Sequence, residues 1–192
     1  VLHTFSADEF LALTEMPELP SKSGLTCQGW NWSLTDAKAY VEEYGAIDIG
    51  ATYITDDGKT RLYITIAAEG RMDVPLALQQ SVSNGVVVDW GDGSATETFS
   101  GTSSTTLRHT YGKVGDYVIT LEVSGTLSLA GSSSYGIIAD SIKAYSNMLQ
   151  KVEIGNGVSI GSNAFNNCYS LASVVIPNGV SIGSNAFNNC YS

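Results

Sequence analysis

LQKVEIGNGVSIGSNAFNNCYS occupies residues 149–170, and LASVVIPNGVSIGSNAFNNCYS follows at 171–192. From Ile154 and Ile176 onward the two copies differ only at Gly155 against Pro177. Leu149/Leu171, Val152/Val174, Ile154/Ile176, Val158/Val180, Ile160/Ile182, Ala164/Ala186, Phe165/Phe187 and Cys168/Cys190 recur at a period of 22. An apolar ladder at this period predicts a leucine-rich solenoid. Each unit is expected to supply a short strand near V-x-I and a turn of helix near N-A-F-N-N-C. One unit cannot bury its own apolar side, so it must stack on neighbours. Residues 137–148 (IIADSIKAYSNM) read as a degenerate leading unit. The sequence stops on a repeat boundary, so the apolar face of the last coil is expected to meet either further chain or another copy, by self-association through the C-terminal repeat. Near-identity of adjacent units suits an extendable scaffold better than an active site.

The pattern I-P-x-x-V-x-x-I-G-x-x-A-F-x-x-C resembles the BspA-type leucine-rich repeat, which is common on bacterial surface proteins. This copy is a residue shorter than the usual V-T-S-I-G form, which would tighten one turn per coil.

Upstream, strands are expected at short intervals: Arg61–Ala67, Val74–Leu78, Val86–Trp90, Thr96–Ser100, Leu107–Tyr111 and Tyr117–Val123. Such spacing suggests a β-sandwich. YVITLEV alternates, with Tyr117, Ile119, Leu121 and Val123 on one face. VVVDWGDGS (86–94) followed by HTYGKVGDYVITLEV (109–123) resembles the PKD (polycystic kidney disease) domain, at Trp90, Gly91, Asp92, Gly93 and Ser94, then His109, Thr110, Tyr111, Gly115, Tyr117, Thr120, Leu121 and Val123. Trp90 stands where that family usually has Phe. His109 is read as bonded into the turn rather than as a base, because no second catalytic candidate shares its motif and His3 lies at the terminus. SGTLSLAGSSSYG (124–136) reads as a linker or loop.

The N-terminal region mixes helix and strand. Ser6 with Glu9, and Ser33 with Asp36, form capping boxes. Leu34, Ala37, Val41 and Tyr44 fall at helical spacing, Gly45 marks the stop, and the apolar face is expected to lie on a sheet. Leu25–Trp32 reads as a strand that would put Trp30 and Trp32 on one face, as core or as a stacking platform for a sugar. GLTCQGWNW resembles internalin-type B repeats at Gly24, Thr26, Gly29 and Trp30, with Cys27 in place of the usual aromatic. Asn31-Trp32-Ser33 is a formal glycosylation sequon, relevant only to a secreted eukaryotic protein. Asp57-Gly58 predicts a hairpin between Tyr53–Thr55 and Arg61–Ile66. The pair Asp56 and Asp57 lacks an EF-hand pattern and reads as a turn.

The expected fold is therefore mainly β: a small α+β region over 1–58, an Ig-like or PKD-like β-sandwich over 59–129, and a short leucine-rich-repeat solenoid over 130–192. A formal charge of −10 on 192 residues disfavours phosphate backbones and anionic lipid surfaces. No apolar run is long enough to span a membrane. The start VLHTFSADEF has no initiating Met and no signal-peptide pattern, and reads as processed or engineered. Cys168 and Cys190 are one repeat apart and would stack in register, as a clip or as two small buried apolar residues. The sequence carries no motif for a nucleophile with its base, a phosphate loop or a metal cluster, so no enzyme activity, cofactor or metal is expected. The expected function is a bacterial cell-surface protein that adheres to a host or cell-surface protein or glycan. A structural spacer and a phage-associated receptor-binding protein are the alternatives. Candidate contact residues are Trp30 and Trp32, and the outward strand positions Lys151, Glu153, Ser173 and Val175.

Overall fold

The computed structural model describes residues 4–22, 25–55, 57–80, 85–99, 102, 104–131, 136–138, 145 and 147–191. Expectations that fall on His3, Gly24, Asp56, Ser100, residues 132–135, most of the leading unit (139–144 and 146) and Ser192 lie outside them. The chain is mainly β and divides into two compact units, one ending at Asp57 and the other beginning at Gly58.

The first unit holds α1 (Ala7–Leu11), β1 (Leu25–Trp30), α2 (Leu34–Tyr44) and β2 (Ala51–Thr55). The capping box at α1 forms in full: the Ser6 hydroxyl accepts from the Glu9 N–H, and the Glu9 carboxylate accepts from the Ser6 N–H. Ser33 caps α2 through the Asp36 N–H at 3.1 Å, and Gly45 closes it in the left-handed region. The apolar stripe of α2 does not lie on a sheet. Ala37 and Val41 pack with Phe10 of α1, ringed by Leu11, Leu13, Trp32, Leu34, Ile47 and Ile49. Tyr44, expected on that stripe, is 62% exposed. Among the described residues, β2 pairs with β1 rather than across the expected Asp57-Gly58 hairpin, with Leu25 opposite Thr55 and Trp30 opposite Ala51. Asp57-Gly58 marks the boundary between the units instead.

The second unit is built from β3 (Thr60–Ile66), β4 (Asp73–Gln80), β5 (Val86–Asp89), β6 (Glu97–Phe99), β7 (Ser104–Thr110), β8 (Gly115–Val123), β9 (Leu127–Leu129), β10 (Leu149–Glu153), β11 (Val158–Ile160) and β12 (Ser173–Val175). They form a six-stranded sheet in the order β12-β10-β3-β8-β5-β6 and a four-stranded sheet in the order β11-β9-β4-β7. Strand alternation drives their burial: Leu62, Ile64 and Ile66 of β3, and Ile119 and Leu121 of β8, are inside. The expected linker 124–136 contributes β9, because Leu127 and Leu129 alternate around Ser128 and both are buried.

The repeats extend both sheets. β10 pairs antiparallel with β3 and parallel with β12, while β11 pairs parallel with β9. These pairings cross the division expected at 129/130. Side chains of the two sheets and of the repeats share one continuous core, from Trp90 and Tyr111 through Phe165 to Ala186. Ile137, at the start of the expected leading unit, accepts from Ala77 of β4 and donates to Ala164 of the first full coil.

The coils stack through backbone bonds such as Phe165 N to Ala186 O at 2.7 Å and Gly183 N to Ile160 O at 2.7 Å. Phe165 lies against Phe187 with ring centroids 5.2 Å apart. The helical turn expected at N-A-F-N-N-C is instead a series of tight turns, with Asn163, Asn167, Asn185 and Asn189 at φ of 56° to 60°. Asn tolerates this left-handed region better than other residues with a Cβ. The Asn188 amide also donates to the Asn166 carbonyl oxygen, and Asn189 to Asn167, so the turns are tied coil to coil.

The single mismatch in the near-identical stretch has a physical cause. The Gly155 N–H donates to the buried Thr60 hydroxyl at 2.8 Å, and a Cβ there would meet the backbone of residues 58–60. Its counterpart Pro177 is exposed, where a missing N–H and a pyrrolidine ring are tolerated.

Candidate functional site

The expected tryptophan platform is divided. β1 ends at Trp30, and Trp32 lies beyond it, half-buried on the Phe10–Ala37–Val41 core with its ring 5.3 Å from Tyr40. Tyr40 and Tyr44 continue that aromatic run at 4.5 Å and are both exposed. Trp30 turns to a cleft of about 520 Å³ shared with Phe5, Phe10, Lys22, Asp48 and Tyr53. Its indole N–H donates to the Pro17 carbonyl at 3.0 Å. Asn31, the sequon residue, accepts from the Gly50 N–H through its side-chain oxygen at 2.8 Å. Tyr44 was read from sequence as part of the apolar stripe, and neither Tyr40 nor Tyr53 as a contact residue, although Tyr40 and Tyr44 follow the i, i+4 rule for one helix face.

On the repeat strands, Lys151 sits opposite Ser173 and Glu153 opposite Val175, as the 22-residue offset requires. Glu153 does not stand open to solvent as an outward position would; it is 7% exposed. Its carboxylate takes the Lys151 ammonium at 2.8 Å and the Tyr63 hydroxyl at 3.1 Å. Lys151 also lies 5.0 Å from the centre of the Tyr63 ring. Burial, then the Glu153 charge and hydrogen bond, push the Tyr63 phenol above its ordinary range. The Lys151 side chain remains 38% exposed, so water screens the pair and its net contribution to stability is small. Ser173 is exposed and Val175 half-buried, so this patch offers one ammonium and an apolar edge.

The Trp90–Ser94 turn is closed from β7, a strand of the four-stranded sheet. His109 Nε2 lies 2.8 Å from Asp92 Oδ2, and the Ser94 N–H donates to Asp92 Oδ1 at 3.0 Å. The imidazole stacks on Trp90 at 4.9 Å and meets Tyr111 edge-on at 4.7 Å, and the Tyr111 hydroxyl donates to the Trp90 carbonyl. Bonds from Ser94 and His109 hold the Asp92 carboxyl well below the usual carboxylate range. His109 and Asp92 side chains are only 13% and 16% exposed. The pair locks a turn.

Cys27, Cys168 and Cys190 are free thiols. Cys168 is buried, with its thiol pushed up to about 12 by burial, and the Cys190 thiol donates to the Phe165 carbonyl. Tyr169 and Tyr191 stack at 6.0 Å on the coil surface, and both are exposed, Tyr191 by 76%. Among the described residues, no helix is long and apolar enough to cross a membrane.

No curated protein and no solved structure matches this chain. The family model for the BspA type leucine rich repeat region (6 copies) matches residues 96–192, just over half of it. That match begins ahead of β6 and runs through β7 to β12, the span in which both sheets pass into the stacked coils. The chain belongs to the BspA-type leucine-rich repeat family.

Proposed function

We propose that this chain is a non-enzymatic binding module of a bacterial cell-surface protein, which engages a host or cell-surface protein or a glycan outside the cell. The observation that carries the reading is the Tyr169–Tyr191 row, one exposed aromatic ring per coil, stacked at the coil spacing. Tyrosine supplies large contact area with few rotatable bonds and a polar tip, which suits it to recognition. Membership of the BspA-type family supports a surface location. The PKD-like reading of the sheets belongs to the same proposal: Trp90, Asp92, His109 and Tyr111 come together as one cluster around the turn.

A spacer that holds other modules away from the cell is the second reading. It is favoured by the Asn166–Asn188 and Asn167–Asn189 bonds, which direct the polar groups of the turns to neighbouring coils rather than to a partner.

The test is a solid-phase screen of the full chain against extracellular-matrix proteins and a glycan array. Truncation near residue 130 would strip β10 from β3 and open the core, so point variants are compared instead. Binding lost in Tyr169→Ser/Tyr191→Ser places the adhesive surface on the coils. Binding lost in Tyr40→Ser/Tyr44→Ser places it on α2. No binding by the parent chain refutes the adhesive reading and leaves the spacer.

A further inference from the structure

The segment Met16-Pro17-Glu18-Leu19-Pro20 lies across the β1–β2 ribbon in a way that its own residues explain only in part. Trp30 Nε1 donates to the Pro17 carbonyl at 3.0 Å, and the Tyr53 hydroxyl donates to the Pro20 carbonyl at 2.7 Å. Pro17 and Pro20 are half-buried, while Glu18 and Leu19 between them are exposed, Leu19 by 39%. Carbonyls captured at every third residue, with prolines inward and intervening residues outward, is the pattern of a polyproline II segment on an aromatic groove.

The ribbon is shaped for that spacing. Trp30 pairs with Ala51 and Cys27 with Tyr53, with a bulge between Cys27 and Gly29. Gly29 takes the bulge at φ 126°. Cross-strand partners share a face and so do residues two apart, so Trp30, Ala51 and Tyr53 point the same way. Without the bulge, Cys27 and Trp30, three apart, would sit on opposite faces. Tyr53 and Trp30 are thus two residues along the ribbon and one strand across, roughly 7 Å by 5 Å, or about 8 Å apart at the backbone. One turn of polyproline II is about 9 Å. Both donors line the same cleft, and Lys22 lies 4.3 Å from the centre of the Tyr53 ring at its end.

We propose that the Trp30–Tyr53 face is a binding groove for an extended proline-containing peptide, filled in cis by Pro17–Pro20 and able to take a P-x-x-P segment of another protein when this strap is displaced. A strap tethered this closely competes at millimolar effective concentration, so it suppresses binding in trans. The proposal is independent of where the coils bind.

The full chain carrying Pro17→Ser and Pro20→Ser is titrated with the peptide TEMPELPSK, the strap's own sequence at 14–22. The readout is the indole N–H resonance of Trp30, assigned with Trp30→Phe. The strap variant should give a saturable shift at Trp30, at least tenfold stronger in affinity than the parent chain, and TEMAELASK should give none. Retained dispersion of the Trp32 indole reports a folded first unit. If the double variant loses it, Pro20→Ser alone, which keeps the Pro17 anchor, is read in the same way. A folded strap variant whose Trp30 does not respond to TEMPELPSK at several millimolar overturns the proposal, as does an equal response to both peptides.

Discussion

Phe165→Ala tests whether the coils and the two sheets are one cooperative body. Phe165 is fully buried, stacks on Phe187 at 5.2 Å and belongs to the same core as Trp90, Ile119 and Leu121. Truncating a buried Phe costs about 3–5 kcal/mol, from lost transfer energy and the cavity left behind. If β8 and the coils open together, that loss lowers the amide protection of β8 by the same factor as that of the coils. The factor is on the order of a hundred-fold to several thousand-fold. Native-state hydrogen exchange at Ile119 and at Ile160 reads the two regions separately. Ile119 lies in the middle of the six-stranded sheet, and Ile160 bonds across to Ser181 in the next coil. Equal loss at both positions supports a single unit. Loss confined to 158–191, with Ile119 unchanged, would refute the reasoning and make the coils a separately melting appendage.

Gly155→Pro removes the donor to Thr60 and drives a ring into the backbone of residues 58–60, so it should lower stability by about 3 kcal/mol or more in urea denaturation. The reverse exchange at the homologous position, Pro177→Gly, should cost under about 1 kcal/mol, mainly through the unfolded chain. Asp92 has its folded-state pKa depressed by Ser94 and His109, so its stabilising contribution is present above about pH 4 and is lost as pH falls toward the folded value. Asp92→Asn should therefore be less stable than the parent chain at pH 7, with the gap closing on acidification; a gap that stays constant down to pH 2 contradicts the assignment. In native protein at pH 8, iodoacetamide followed by mass spectrometry should label Cys190 well before Cys168, whose thiol is buried and pushed up to about 12.

The stacking register was open to reading from sequence because Phe165/Phe187 and Lys151/Ser173 are fixed by a 22-residue offset, and a solenoid turns such an offset directly into contact. β3 and β5 were legible as short runs between turn residues, and β8 from its alternation. What β10 and β11 dock on was not. The choice of β3 and β9 as partners depends on strand edges distant in sequence, and no local pattern encodes it. β9 was hidden because L-S-L in a run of Gly and Ser reads as loop until its two leucines find a core. In the first unit, β1 ends at Trp30, so Trp32 leaves the face that simple alternation assigned to both tryptophans. The carbonyl that takes the Trp30 indole N–H belongs to Pro17, 13 residues upstream and outside any local strand pattern.

The parallel pairing of β10 with β12 means that one 22-residue repeat advances the stack by a single strand spacing, about 5 Å. The same residues fully extended would reach roughly 70 Å. Gain or loss of one copy therefore changes reach in very small, uniform steps and leaves the sheets at the base untouched. Copy number works as a fine graduation of length, and a row such as Tyr169–Tyr191 gains one ring at each graduation without any ring having to be placed anew.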